Sequence, residues 1–194
     1  MSAKAKFNRD DVISKAKNLY WEKGYHATSM RNLQDVVDMR PGSIYAAFGS
    51  KDNLFSEALN HYALENAEQL ANCMAQENTV LGGLKRFIRS VTLCDKGSVP
   101  SGMCMIVKSV AELTQNDSPV LLANAKAILA KVEGSLAQIF QRAKDNGEIS
   151  AAKDPVELAC YLQVQLIGLR TYAQATDNIV AVEKLIDDLF EALP

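Results

Sequence analysis

Glycine and proline are scarce in this chain, ten and five among 194 residues. That scarcity argues against an all-β fold, whose many turns draw on both, and against low-complexity sequence. No stretch approaches 18 consecutive apolar residues, so no membrane span is expected. The opening MSAKAKFNRDD lacks the apolar segment of a secretory signal, and a cytoplasmic location is expected. Histidine occurs twice, and none of the four cysteines (Cys73, Cys94, Cys104, Cys160) forms a Cys-x-x-Cys pair. A zinc site of the usual kind is therefore not expected, nor is any other metal or cofactor. There is also little charge of one sign in excess: 21 Lys+Arg face 23 Asp+Glu.

What is present is apolar content, 48% of residues, enough for a packed core and too much for wholesale disorder. The balanced total charge hides an asymmetry. Residues 1–55 carry nine Lys/Arg and six Asp/Glu, whereas residues 56–194 carry twelve and seventeen. A basic head on an acidic body points to a polyanion as the head's partner.

Helix signals run from end to end. Asn8 caps a first helix with Asp10 and Asp11 in its first turn, and Gly24 stops it. Thr28 or Ser29 caps a short second helix holding Met30, Leu33, Val36 and Val37. A third runs from about Arg40 to Phe48, with Pro41 and Gly42 in its first turn. Ser50 caps a fourth that continues past residue 70, and Thr79 a fifth. Residues 94–102, CDKGSVPSG, are a loop, followed by a sixth helix over about 103–114. Asp117 or Ser118 opens a seventh before Pro119, and Gly147 ends it. Asp154-Pro155 starts an eighth that extends to about Ala175 and is apolar on nearly every side. Asp177 or Asn178 begins a ninth with a wide apolar stripe. The fold class is all-α, about nine helices. The last two helices (near 154–175 and 178–193) need a cover. They either close a monomeric core or pair with a second copy in a four-helix interface.

The segment TSMRNLQDVVDMRPGSIYAAFGSKDNL, residues 28–54, reads as two short helices joined by a tight turn at Val37-Asp38-Met39, a helix-turn-helix. Asp38 sits where the turn wants a left-handed residue, a region Asp tolerates better than most. The second of these helices would expose Arg40, Ser43, Tyr45 and Ala46 at the end that a recognition helix offers to the major groove. Arg40 could pair with guanine or a phosphate, and Tyr45 could reach a phosphate with its hydroxyl. Lys51 and the free N–H groups after Ser50 make a second phosphate site. The competing interpretation is an ordinary helical hairpin with Tyr45 and Phe48 in the core, and Phe48 by itself is best placed inward.

The run Trp21-Glu22-Lys23-Gly24-Tyr25-His26-Ala27-Thr28-Ser29-Met30, followed by Gly42-Ser43-Ile44-Tyr45, Phe48, Ser50-Lys51-Asp52 and Leu54, resembles the N-terminal domain of the TetR family of bacterial transcriptional regulators. The likeness covers about residues 8–60 without a gap; the remainder is similar mainly in helix count and order. The resemblance implies a homodimeric repressor. A helix-turn-helix domain, residues 1–50, would bind a palindromic double-stranded operator. A helical effector-binding and dimerisation domain, residues 51–194, would pair through the last two helices. It also implies a recognition helix over about 40–46, with Thr28, Arg40, Pro41, Gly42, Ser43, Tyr45, Ala46 and Lys51 at the DNA. There Tyr45 and Lys51 would hold the backbone, and Thr28 would cap helix two and touch a phosphate. Three positions depart from the family pattern. Asp38 replaces the turn glycine, Arg40 a small polar residue, and Ala47 an aromatic or histidine.

For the body, the expected effector is an unidentified small molecule, with Tyr62, Asn66, Cys104, Tyr161, Gln165 and Arg170 as candidate contacts. A few polar groups among apolar neighbours are what such sites present, and helices four and seven would supply the other walls. The competing interpretation has Arg170 and Gln165 satisfy each other or a second copy. Cys104 opens the sixth helix, where a thiol's pKa can fall. The stretch resembles a TetR subgroup with Gly-Cys at that point, some of whose members sense electrophiles or oxidants, although here Met103 intervenes. Cys104 is thus either a reactive switch or a buried inert thiol among Met103, Met105 and Ile106. Either signal would act by shifting helix four and changing the spacing of the two recognition helices from about one helical turn of DNA, roughly 34–36 Å. His26 and His61 are taken as surface or satisfied groups. The alternative class, an all-α adaptor or enzyme without DNA binding, finds no paired acids with His, no phosphate loop and no Ser-His-Asp set.

Overall fold

The computed structural model describes residues 7–94 and 97–193. Residues 1–6 and two residues of the expected 94–102 loop, 95 and 96, lie outside that range. Nine α-helices are present among the described residues: α1 (Arg9–Lys23), α2 (Met30–Val37), α3 (Pro41–Phe48), α4 (Lys51–Ala75), α5 (Val80–Thr92), α6 (Met105–Glu112), α7 (Pro119–Asp145), α8 (Pro155–Ala175) and α9 (Ile179–Glu191).

The helix ends follow from their capping residues. Asn8 Oδ1 accepts the N–H groups of Asp10 and Asp11 at 3.0 and 3.3 Å, and Gly24 leaves α1 with φ 88°. Ser29 caps α2 through a reciprocal box with Asn32. Ser50 and Thr79 cap α4 and α5, Asp154 accepts from Val156 N at the start of α8, and Asn178 caps α9. Two ends differ from the sequence expectation. The sixth helix is shorter than 103–114: residues 102 and 103 form bends, and Cys104 is its cap in extended conformation. Neither hydroxyl nor carboxylate caps α7: Ser118 occupies the cap position without a side-chain bond, and Asp117 turns back to Thr114.

The core divides into two clusters. One joins α1–α3 and the first half of α4 to α6 and the start of α7, with Tyr20, Leu33, Ile44, Phe55, Met105 and Leu121 buried together. The other joins α5, the second half of α7, α8 and α9 around Leu84, Phe140, Leu162 and Ile186. At 25 residues, α4 is roughly 37 Å long, and only its first half belongs to the head's cluster. Residue 50 is thus a helix start but not a break in packing. The eighth helix buries Leu158, Ala159, Leu162 and Leu169 within the chain and leaves Val156, Tyr161, Val164 and Tyr172 exposed. No helix among the described residues is long and apolar enough to cross a membrane.

Candidate nucleic-acid interface and body cavity

The turn between α2 and α3 has the predicted geometry. Asp38 lies at φ 52°, ψ 47°, the one non-glycine with positive φ among the described residues. It reverses the chain so that α3 presents one face outward. Ile44 and Phe48 point into the core, at 1% and 4% exposure, while Tyr45 is 47% exposed. Pro41, Gly42, Ser43 and Ala46 share the open face, as does Arg40 at the cap position. No side chain caps α3, and a Cβ at Gly42 would meet nothing within 4 Å. Pro41 has no N–H, and Ser43 and Ile44 donate to Arg40 O at 2.9 and 3.1 Å. What this end offers an anion is therefore chiefly the exposed Arg40 and Tyr45 side chains, neither of which has a hydrogen-bond partner among the described residues. The hairpin alternative is decided residue by residue: Phe48 is core, and Tyr45 is not.

The end of α3 is held by Arg9. Its Nη1 donates to Ala47 O at 2.8 Å, its Nη2 meets Glu57 at 2.5 Å, and the guanidinium lies 4.3 Å from the Phe48 ring centroid. Lys51 is directed differently from the expectation. Its Nζ donates to Tyr25 O at 2.8 Å and sits 4.1 Å from the Tyr25 ring centroid, and burial lowers its pKa. Thr28 requires a correction. Its side chain is fully buried and its Oγ1 donates to Gly24 O at 2.6 Å, so the α2 cap is Ser29 and the Thr28 hydroxyl is turned from solvent. A cap needs its oxygen beside the first-turn N–H groups, and Thr28 faces the end of α1 instead.

A second constellation ties the head to the body. In α6, Lys108 Nζ donates to the carbonyls of Trp21 at 2.6 Å and Glu22 at 3.1 Å. One turn later Glu112 accepts the N–H groups of Tyr25 at 3.0 Å and His26 at 2.7 Å. Trp21 Nε1 donates to Met103 O at 2.6 Å, and the Trp21 ring meets Tyr62 edge to face with centroids 5.0 Å apart. Lys108 and Glu112 escaped the sequence reading, although their i, i+4 spacing put them on one helical face. His26 Nε2 lies 3.3 Å from Asp117 at the surface. His61 Nδ1 lies 3.3 Å from Glu65 but is buried without a hydrogen-bond partner among the described residues, so the expectation of a surface or satisfied group does not hold for His61.

Of the six candidate effector residues, three come together. Arg170 Nη1 donates to Tyr62 Oη at 3.2 Å and its Nε to Gly102 O at 3.0 Å. The Cys104 side chain lies against the same Tyr62 hydroxyl, whose pKa is raised by burial first and by Cys104 second, against the lowering influence of Arg170. Cys104 is half-buried at the cap position of α6. Asn66 stays on its own helix, donating to Tyr62 O at 2.8 Å. Tyr161 and Gln165 lie elsewhere on α8, and Arg170 makes no bond to Gln165.

A cavity of about 470 Å³ opens between the end of α5, the 97–102 segment, the end of α8 and the start of α9. Arg170 lines it; Tyr62, Asn66, Cys104, Tyr161 and Gln165 do not. Its walls are not α4 and α7, as expected from the sequence, because side chains such as Leu136, Phe140 and Leu162 fill the space between α7 and α8. Among the described residues no group of three His, Cys, Asp or Glu converges as a metal site would require.

Comparison with known proteins agrees with this geometry. The family model described as "Bacterial regulatory proteins, tetR family" matches residues 12–58. That described as "Tetracyclin repressor-like, C-terminal domain" matches residues 81–189, more than half of the chain. The chain is 27% identical over 169 residues to the HTH-type transcriptional repressor ComR of Escherichia coli K12, covering 87% of this chain and 80% of that protein. It is 40% identical over 75 residues to the repressor BdcR of the same organism, 39% and 38% of the two chains. Among solved structures it is similar to a cysteine variant of the TetR family transcriptional regulator CifR complexed with a 26-base-pair double-stranded operator DNA. There the TM-score is 0.87 at 25% identity, and 100% of both chains is covered.

Proposed function

The chain belongs to the TetR family of bacterial regulatory proteins, and from that premise we propose that it is a repressor. In this reading it binds a palindromic operator as a homodimer and is released by a small-molecule effector. The family is one of regulators, not enzymes, and the adaptor-or-enzyme alternative falls with it.

The observation that carries the DNA-binding assignment is the division of α3: Ile44 and Phe48 inward, Pro41, Gly42, Ser43, Tyr45 and Ala46 outward. Arg40 and Tyr45 supply phosphate or base contacts. Lys51 contributes at the α4 N-terminus, where its ammonium keeps donors beyond the one given to Tyr25. Thr28 acts there only as a brace. Residues 1–50 form the reading head and 51–194 the sensing and pairing body. The exposed apolar residues of α8 and α9, including Val164 and Ile179, favour a second copy as their cover. Repression is favoured by the printed roles of ComR and BdcR. The body cavity is the effector's place, and α6 joins its neighbourhood to the head through Lys108 and Glu112. A second reading, with modification of Cys104 as the signal, is favoured by the contact of its half-buried side chain with Tyr62.

The test is fluorescence anisotropy of the purified protein on duplexes from the DNA upstream of its own gene and from a random-sequence selection. A scrambled duplex serves as control, and salt is varied. Specific binding with two chains per palindrome and a steep salt dependence is expected. It should weaken about tenfold or more in Arg40→Ala and Tyr45→Phe proteins. No selectable duplex, or undiminished binding in both variants, would overturn the assignment of the head.

A further inference from the structure

The Arg170 side chain is an anomaly in the body. It is buried, 7% exposed, yet no carboxylate lies within ion-pair distance of it among the described residues. Its guanidinium gives two hydrogen bonds to neutral oxygens, Gly102 O and Tyr62 Oη. Nη2 donates to no described residue. A buried guanidinium is normally paired, because desolvating an uncompensated charge costs more than neutral hydrogen bonds return. This one borders the cavity of about 470 Å³, a size within the range of small-molecule sites, roughly 300–1,000 Å³. Its other walls carry apolar side chains such as Leu93, Val99, Ala173 and Val182.

We infer that this cavity takes an organic monocarboxylate, with its carboxylate on Arg170 and its apolar body against the α5, α8 and α9 side chains. Resting on the reading of the protein as an effector-released repressor, the inference names the effector's chemical class and its place. A guanidinium matches a carboxylate's geometry and charge. Arg170 is the one cation among the described lining residues, which suits a single negative charge, and the apolar walls suit an organic body rather than phosphate. The ligand would compete for the guanidinium that now holds Gly102 and Tyr62. Gly102 is seated against Gln174 so closely that a Cβ would collide with its amide, and Met103, next in sequence, receives the Trp21 indole of α1. Redirecting Arg170 therefore acts within two residues of the head's own anchorage.

The experiment is isothermal titration of the full chain with benzoate, 3-phenylpropionate and octanoate, against their uncharged amides. Operator release by each compound is measured in parallel. The carboxylates are expected to bind one per chain, and each amide about tenfold or more weaker than its acid. Arg170→Gln should abolish the preference for the charged form. Because Arg170 also braces Tyr62, Ala173→Leu is the companion variant: it leaves Arg170 in place, fills part of the cavity, and should weaken carboxylate binding severalfold while the thermal midpoint holds. No binding by any acid, equal binding of acid and amide, or unaltered affinity in both variants would overturn the inference. Carboxylates that bind selectively but leave operator affinity unchanged uphold the ligand class and remove the effector reading. Release by amides as readily as by acids does the reverse.

Discussion

Glu112, in the last turn of α6, accepts the backbone N–H of His26 at 2.7 Å across 86 residues of sequence. With Tyr25 N on its other oxygen at 3.0 Å, the carboxylate closes the turn between α1 and α2. A Cβ at Gly24 would stand 2.6 Å from it. Glu112→Ala leaves both donors without this partner and is expected to cost about 1–3 kcal/mol in urea unfolding. It should also weaken the response of operator affinity to any effector, since one of the direct ties from body to head is cut. A variant with wild-type stability and wild-type effector response would disprove the coupling role.

Two aromatic residues of α3, three positions apart, separate fold from function. Phe48→Ala removes a buried ring and is expected to destabilise the chain by about 3–5 kcal/mol. Tyr45→Ala removes an exposed one and should change stability by no more than about 0.5 kcal/mol, while reducing duplex affinity. Chemical denaturation and anisotropy on the same preparations check both halves of the statement.

The acid limb of the stability curve has an identifiable contributor. Burial pushes the Glu148 carboxyl up, but the N–H groups of Leu81 and Val80, each 2.9 Å away, together with Asn146 and Arg142, hold its pKa below the ordinary 4.5. A carboxylate with a depressed folded pKa stabilises the native state above its unfolded pKa and loses that contribution as pH falls through the folded one. Glu148→Ala should therefore cost about 1 kcal/mol at pH 7, as loss of a helix cap does, and the gap to wild type should close at pH values well below 4.5. Urea midpoints of both proteins across pH 3–7, a span of roughly four units around the carboxylate range, would show whether the curves converge. Parallel curves would assign the acid dependence elsewhere.

Val164 on α8 and Ile179 on α9 are each about 60% exposed in the single chain. If a second copy covers them, Val164→Glu places an unpaired charge in an apolar interface and should shift the solution mass from two chains to one. Light scattering after size exclusion measures this directly, and an unchanged dimer would move the interface off this face.

Asp38 has the conformation that glycine adopts without strain. Asp38→Gly is expected to be neutral or to stabilise by up to about 1 kcal/mol, and Asp38→Val to destabilise by at least that much. Thermal melts of the pair rank the two.

Local features were the legible part. Asp38, Phe48 and the caps at Asn8, Ser50, Thr79 and Asn178 depend on neighbours within a few residues, and periodicity or side-chain chemistry identifies them. Thr28 was misplaced because two adjacent hydroxyl residues compete for one cap, and the outcome depended on the carbonyl of Gly24, which only the folded turn brings near. The convergence of Tyr62, Cys104 and Arg170 was partly legible, as polar groups on apolar helices. The cavity walls were not, because they depend on how α5, α8 and α9 splay at their ends. Lys108 and Glu112 carry no local signal of their role, which depends on α1 lying alongside.

The head's hydrophobic cluster does not stop at residue 50. It draws Leu54, Phe55 and Leu59 from α4, Met105 and Ile106 from α6, and Leu121 and Ala125 from α7. A reading head cut at the α3–α4 junction and grafted onto another sensor would arrive with its inner face unroofed. Chimaeras that exchange operator specificity between relatives must therefore either transplant α6 and the opening of α7 together with the head, or confine the exchange to the outward residues of α3.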